Sequence, residues 1–165
     1  AITRRTVIDK HTHRLRLIRL TLNKILIKDL YDFILIDCPP SLGFVTYNAL
    51  VASTHLFVPM LAETLPTIGL TMLEESLSEI EDLNPGIAIS GIFFTRWEGK
   101  NINKVLEDSI RASYGDKVLT TRIRVNVALT NSQLFRQDIL EFDSKSNGAI
   151  DYSNLTKEIL SIVSK

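Results

Sequence analysis

Asp37 closes a run of four apolar residues, Phe33-Ile34-Leu35-Ile36, and is followed by Cys38-Pro39-Pro40-Ser41-Leu42-Gly43. A short continuous apolar run suits a parallel strand covered on both faces. Ligands of open α/β sheets sit beyond the carboxyl ends of such strands, so Asp37 falls where a Mg²⁺-nucleotide would lie. Pro39 and Pro40 donate nothing to a ladder and push their predecessors toward extended geometry, which stops the strand and aims the chain away from it. The plainer alternative is an acid that merely caps a buried strand.

Other groupings of reactive side chains are weaker. Ser41, His55 and Asp37 contain the residue types of a hydrolytic triad, but Ser41 lacks the glycine-flanked elbow that exposes such a nucleophile. His11, His13 and His55 make no metal set: cysteine is absent nearby, and an i, i+2 pair does not share a helix face. Glu74, Glu75, Glu79, Glu81 and Asp82 could pair as catalytic carboxylates, yet they read better as the solvated face of one helix.

The elements that would position Asp37 alternate along the chain. The patterning predicts helices over 13–30, 44–52, 66–82, 102–114 and 148–163, with strands at 33–37, 55–60, 87–94 and 118–123. Pro85-Gly86 separates the 66–82 helix from the strand after it. Such alternation implies a mostly parallel sheet with right-handed crossovers and helices on its faces. At 165 residues and 45% hydrophobic content, one core and one domain over 1–165 are expected.

Several blocks together resemble one family. Asp32 to Gly43, followed by Thr46, Asn48, Ala49 and Leu50, is similar to the Walker B and switch II region of the ParA/MinD partitioning ATPases, on the ParA branch. Val58-Pro59, Glu63 and Gly69-Leu70 resemble the next strand and helix start, and Gly91-Ile92-Phe93-Phe94-Thr95 the strand after that. Phe142-Asp143, Ser146, Gly148-Ala149 and Tyr152 resemble the closing YDPxSxGAxAY pattern. The likeness spans about residues 30 to 163, and spacing kept over several blocks is more specific than any one motif.

The resemblance assigns roles by position. Asp37 becomes the Walker B acid that orients Mg²⁺ through water, and Pro39, Pro40, Ser41 and Gly43 the switch that senses the γ-phosphate. Thr95, Arg124 and Asn126 come to the cofactor, near the adenine base; for Thr95 a strand-end hydroxyl bonded to backbone is the plain alternative. Ile123-Arg124-Val125-Asn126-Val127-Ala128-Leu129 is similar to the family's IPRNVRL loop but departs from it. Arg124 replaces the proline, and Val125 and Ala128 replace arginines, one of which the family uses for DNA. Lys100 falls at a commonly basic, DNA-contacting position, and Arg122, Arg124 and Arg136 could supply phosphate contacts nearby.

The phosphate-binding loop of such ATPases does not occur in these residues. Of the seven glycines only Gly99 precedes a lysine, and there Phe94 and Asn101 stand where glycine and Ser/Thr are required. The chain therefore reads as the C-terminal portion of a ParA-type ATPase domain, its P-loop NTPase-like fold incomplete at the N-terminus, and these 165 residues alone are expected neither to hydrolyse ATP nor to bind it tightly.

Charge and cysteine usage bound the class. The net charge is zero, but residues 1–28 carry +7 and the remainder −7. The basic segment could meet nucleic acid, although Leu15, Ile18, Leu22, Ile25 and Leu26 recur at helical spacing and leave the cations on a solvated face. Residues 1–12 are the part expected to lack order. A lone cysteine, Cys38, rules out a disulfide framework and points to a reducing compartment. No apolar run reaches the roughly 20 residues of a membrane span.

The function expected is plasmid or chromosome partitioning by an ATPase of ParA type. Its cofactors would be ATP and Mg²⁺. In the intact protein, ATP binding would drive homodimerisation and nonspecific DNA binding, with a centromere-binding ParB-type partner, no membrane, and a cytoplasmic, nucleoid-associated location. Competing readings are a MinD-like or tyrosine-kinase-like relative, and a non-catalytic interaction domain that keeps the fold.

Overall fold

The computed structural model describes residues 15–24, 31–62 and 67–164. These fall into two compact units: the described residues up to Leu56 together with Gly69–Ala88, and Phe57–Ile68 together with the chain from Ile89 onward.

The first unit is helical. Helix α1 is Leu17–Lys24 and α2 is Phe44–Ala52. Most of α3, Thr67–Glu79, also belongs here. Helix α2 starts where the Pro39-Pro40 turn ends: Gly43 is its N-cap, with extended backbone, and Thr46 Oγ1 donates to the Ser41 carbonyl at 2.7 Å. Its sequence, FVTYNALVA, is apolar nearly all round, which fits a buried helix. Ala49, Leu50 and Val51 are buried with it, as is Asn48. A buried amide must be hydrogen-bonded. Asn48 accepts from the Leu17 N–H and donates to the Phe44 carbonyl, each at 3.0 Å, and so docks α1 on α2. Asn84 secures the other end of α2 by donating to the Leu50 and Ser53 carbonyls at 2.8 Å. Glu74, Glu75, Glu79, Glu81 and Asp82 are all exposed.

The second unit holds the sheet. Strand β1 is Leu56–Leu61 and β2 is Ile89–Thr95, hydrogen-bonded neighbours. A third stretch runs beside β2 through two parallel bridges, Ile92 with Val118 and Trp97 with Arg124. Helices α4, Asn101–Tyr114, and α7, Asn147–Val163, accompany the sheet. Two short helices, α5 at Val127–Leu134 and α6 at Ile139–Asp143, lie between them in sequence. The expected α/β class with a parallel sheet and flanking helices is what forms. Leu119, Ile123 and Leu155 make the centre of a core that Phe57, Phe93, Leu129, Ile159 and Ile162 close. Gly91 makes room for it: a Cβ there would stand 2.8 Å from the Phe57 ring.

Two expected strands come out differently. The 33–37 run forms no strand and has no ladder partner among the described residues; Leu35 is 93% exposed, and Phe33 and Ile34 are exposed with it. A parallel strand exists only through neighbours that take its N–H and C=O groups and helices that cover its faces. No described strand stands beside this run, so Phe33, Ile34 and Leu35 face solvent while Ile36 is half-buried, and Cys38, expected after a buried strand, is exposed. The 118–123 stretch forms no strand, its one bridge being at Val118 and the next falling at Arg124, because the Thr120 and Thr121 N–H groups go to the Glu158 carboxylate, at 2.7 and 2.9 Å. The expected 13–30 helix is seen over Leu17–Lys24. Its flanks at 13–14 and 25–30, residues 1–12, Glu63, His11 and His13 lie outside the described residues.

Candidate functional site

Asp37 projects from the connection that the two prolines shape. It is exposed, as are Pro39, Pro40 and Ser41, while Gly43 is half-buried at the start of α2. The Gly43 N–H donates to the Ser41 carbonyl at 2.9 Å, which makes a tight bend between the acid and the helix. The Cys38 thiol, although exposed, is pushed up by partial desolvation first and by the Asp37 charge second. An exposed carboxylate is a hard oxygen donor of the kind Mg²⁺ takes, and it fits one such contact, direct or through water. Among the described residues no cluster of three or more His, Cys, Asp or Glu forms a metal cage.

The remaining predicted residues belong to the second unit. Thr95, at the end of β2, donates its hydroxyl to the Met60 carbonyl at 3.3 Å, the plain alternative foreseen for it. Two residues on, Trp97 meets the loop over 120–126. The Trp97 N–H donates to the Ile123 carbonyl at 3.0 Å, the Val125 N–H donates to the Trp97 carbonyl at 3.2 Å, and the Arg122 guanidinium lies 4.8 Å over the indole ring. Asn126 ends the loop as the N-cap of α5, its side chain accepting from the Ala128 N–H at 2.7 Å, a favoured way to satisfy a first-turn donor.

Electrostatics hold this loop in shape. Glu107 is buried on α4 at 4% exposure and faces two guanidiniums. Arg122 donates to both of its oxygens, and Arg111 to one at 3.0 Å. Burial alone would raise the Glu107 carboxyl, but the Arg122 and Arg111 hydrogen bonds and charges outweigh it and hold the group below its ordinary value. Glu158 is likewise held low: burial pushes it up, and the hydrogen bonds from Thr121 and Thr120 more than reverse that. Arg124 is pushed further up by its bond to Asp151.

The predicted cations are thus mostly occupied. Arg122 is paired with Glu107 and Arg124 with Asp151. Lys100 caps α4, its N–H donating to Asn103 Oδ1 at 2.9 Å, and its ammonium pairs with Glu98. Arg136 is exposed just past α5, with positive φ. Arg122 and Arg124 meet at Trp97, two residues after Thr95, and Asn126 follows on the same loop. Asp37 and its prolines belong to the other unit.

Sequence reasoning missed Trp97, Glu107, Asp151 and Glu158. The three acids look like ordinary helix residues in isolation. One signal was available: Asp151 stands where the closing pattern GAxAY has alanine, and its partner Arg124 stands where the loop pattern has proline.

Comparison with known proteins bears on both units. The AAA domain family matches residues 4–89. The chain is 39% identical over 145 residues to the chromosome-partitioning ATPase Soj of Treponema pallidum, covering 86% of this chain and 57% of that protein. It is 35% identical over 133 residues to the chromosome partitioning protein ParA of Caulobacter vibrioides, covering 79% and 50%. The chain therefore spans about half the length of the curated relatives it matches. In three dimensions it is similar to cobyrinic acid a,c-diamide synthase from Mycobacterium smegmatis with bound ATP analog and magnesium. The TM-score there is 0.71 at 26% identity, over 89% of this chain and 54% of that one.

Proposed function

The chain belongs to the ParA/Soj-type family of partitioning ATPases, with the fold of the P-loop NTPases, and on that premise we propose that the intact protein binds Mg²⁺-ATP and uses it to partition plasmid or chromosomal DNA. The observation that carries this reading is the unbroken course from Asp37 through the Pro39-Pro40 turn to the Gly43 cap of α2. It presents one exposed carboxylate on a rigid connection that leads straight into a helix buried from Asn48 to Val51. Asp37 would orient Mg²⁺ through water, and the metal would supply charge neutralisation at the phosphates. Pro39, Pro40, Ser41 and Gly43 would form the segment that responds to the γ-phosphate, since a short stiff connection transmits a local contact into the helix it starts. Thr95, Arg124 and Asn126 would border the base. The nucleotide-bound protein would dimerise, bind DNA through its phosphates with Lys100 and Arg136, since Arg122 and Arg124 are paired with buried carboxylates, and act in the cytoplasm on the nucleoid with a centromere-binding ParB-type partner.

The test is Asp37→Ala in the intact protein. Because the side chain is exposed and packs in no core, the unfolding midpoint should stay within about 2 °C of wild type. ATP turnover should fall about 100-fold, as expected when metal positioning worth several kcal/mol is lost. Wild-type turnover in the variant would remove Asp37 from the site.

A further inference from the structure

Asp151 is 5% exposed, and both of its oxygens are committed to a single residue. The Arg124 backbone N–H donates to Oδ2 at 3.0 Å, Arg124 Nε to Oδ2 at 2.9 Å and Oδ1 at 3.2 Å, and Arg124 Nη2 to Oδ1 at 2.6 Å. This is more than an ion pair, because the carboxylate fixes main chain and side chain of the same residue together. The fork geometry also sets the guanidinium plane.

The carboxylate is not isolated. On α7, Asp151, Leu155, Glu158, Ile159 and Ile162 follow the spacing of one helical face. The apolar members enter the core, and the two acids reach the loop. Glu158 Oε1 accepts from the Thr120 N–H at 2.7 Å and its hydroxyl at 2.9 Å, and Oε2 accepts from the Thr121 N–H at 2.9 Å. From α4, Glu107 accepts from Arg122 at 2.7 and 2.8 Å. Residues 120, 121, 122 and 124 are thereby held by three carboxylates from two helices. Ile123, between them, is buried in the core and donates to the Phe94 carbonyl at 2.8 Å.

We propose that Asp151 is a positioning residue: with Glu107 and Glu158 it straps the 120–126 loop against Trp97, and so sets the backbone that a nucleotide base would meet at Arg124 and Asn126. The proposal rests on the nucleotide reading given above. A proline at position 124 would hold its own φ. Arginine does not, and the Asp151 carboxylate supplies that constraint from outside the loop. The pair thus restores by hydrogen bonding a rigidity that the loop's own sequence lacks.

The test uses the intact protein labelled with 5-fluorotryptophan, the Trp97 resonance being assigned by its loss in Trp97→Phe. Trp97 is tied to the loop by two backbone hydrogen bonds and by Arg122, so it reports loop position without any nucleotide. Asp151→Ala should shift and broaden this resonance well below the unfolding temperature. It should also weaken Mg²⁺-ATP binding about tenfold, the scale of a lost charge-assisted hydrogen bond. Asp151→Glu should restore both in large part. Asp151→Asn, of the same size, serves as the second variant where Asp151→Ala fails to fold. A merely structural role would lower the unfolding midpoint and leave the native resonance in place. That result overturns the proposal, as does a variant whose resonance moves while its nucleotide affinity equals that of a binding-competent wild type. Wild-type protein that binds no nucleotide, with a resonance that still moves in Asp151→Ala, overturns the nucleotide reading and leaves the strap standing.

Discussion

Glu107 and Arg122 lie 15 positions apart in sequence and meet in a two-pronged pair, Nε to Oε2 at 2.8 Å and Nη2 to Oε1 at 2.7 Å. The carboxylate is buried, whereas the Arg122 side chain is 39% exposed and rests on Trp97. Helix α4 thus delivers a desolvated acid to the underside of a loop whose cations remain half in water. Arg111, one turn along the same helix, completes the arrangement by reaching the Val118 carbonyl at 2.8 Å and the Leu119 carbonyl at 3.2 Å. A helix and the stretch beside β2 are therefore joined through side chains where the regular ladder is interrupted.

This arrangement makes stability depend on acid in a definite direction. Glu107 and Glu158 both sit below the ordinary carboxyl value of 4.5 in the folded protein. A group whose folded value is depressed contributes stability that is complete above the unfolded value and is lost as pH falls through the folded one. The unfolding midpoint should therefore show no loss from these two groups between neutrality and about pH 5, and should fall below that as they take up protons. Glu107→Gln and Glu158→Gln should each be less stable than wild type at pH 7 and should converge toward it at low pH. Thermal unfolding followed by circular dichroism from pH 7 to 3 measures this, and parallel curves for wild type and variants would contradict it.

Packing at the start of α7 yields a second expectation. Gly148 is buried, and a Cβ there would lie 2.6 Å from Leu129 Cγ and 2.9 Å from its Cδ2. Alanine favours a helix interior over glycine by up to about 1 kcal/mol, but forcing a methyl into a filled core costs about 1–3 kcal/mol. Gly148→Ala should therefore destabilise. Leu129→Ala in the same background should recover part of that loss, because the clash is with this one side chain. Urea unfolding of the two single variants and the double variant gives the coupling; additive effects would show that Leu129 is not the obstacle.

The sequence reached the helices more readily than the sheet, for physical reasons. Helices at 44–52, 102–114 and 148–163 were expected, and the structure has Phe44–Ala52, Asn101–Tyr114 and Asn147–Val163, since an amphipathic or buried helix is written in its own residues. Strands depend on partners. The 33–37 run has the composition of a central strand yet forms none, and 118–123 is interrupted by a carboxylate on a helix more than 30 residues away, Glu158. The short helices at Val127–Leu134 and Ile139–Asp143 were not foreseen. They are set by the side-chain caps Asn126 and Asp138. Of the candidate site, Asp37, Thr95, Arg124 and Asn126 were singled out by their resemblance to the family's motifs. Glu107, Asp151 and Glu158 were not, because a buried acid differs from a surface acid only by what folds against it.

The last expectation concerns the proposed DNA contact, where the four predicted cations should not behave alike. Arg122 and Arg124 already satisfy buried carboxylates, and turning either toward a phosphate would leave Glu107 or Asp151 with a weakened partner. Burying a charge without its partner is costly, which holds both guanidiniums in place. Lys100 pairs with Glu98, but its side chain is 65% exposed and the pair lies at the surface, where such bridges contribute little. Arg136 is exposed beyond α5. Lys100 and Arg136 are therefore the cations able to meet phosphate without a cost inside the protein. In the nucleotide-loaded intact protein, replacing both by alanine should flatten the dependence of log K on log salt by about two units, one for each phosphate contact, and weaken binding to random duplexes evenly. Arg124→Ala should leave the salt slope near wild type, since it carries no phosphate contact of its own, and should move the Trp97 signal instead. Fluorescence anisotropy on labelled duplexes across a salt series decides between them: an unchanged slope in the Lys100 and Arg136 double variant would move the DNA surface elsewhere, to the basic residues before position 29.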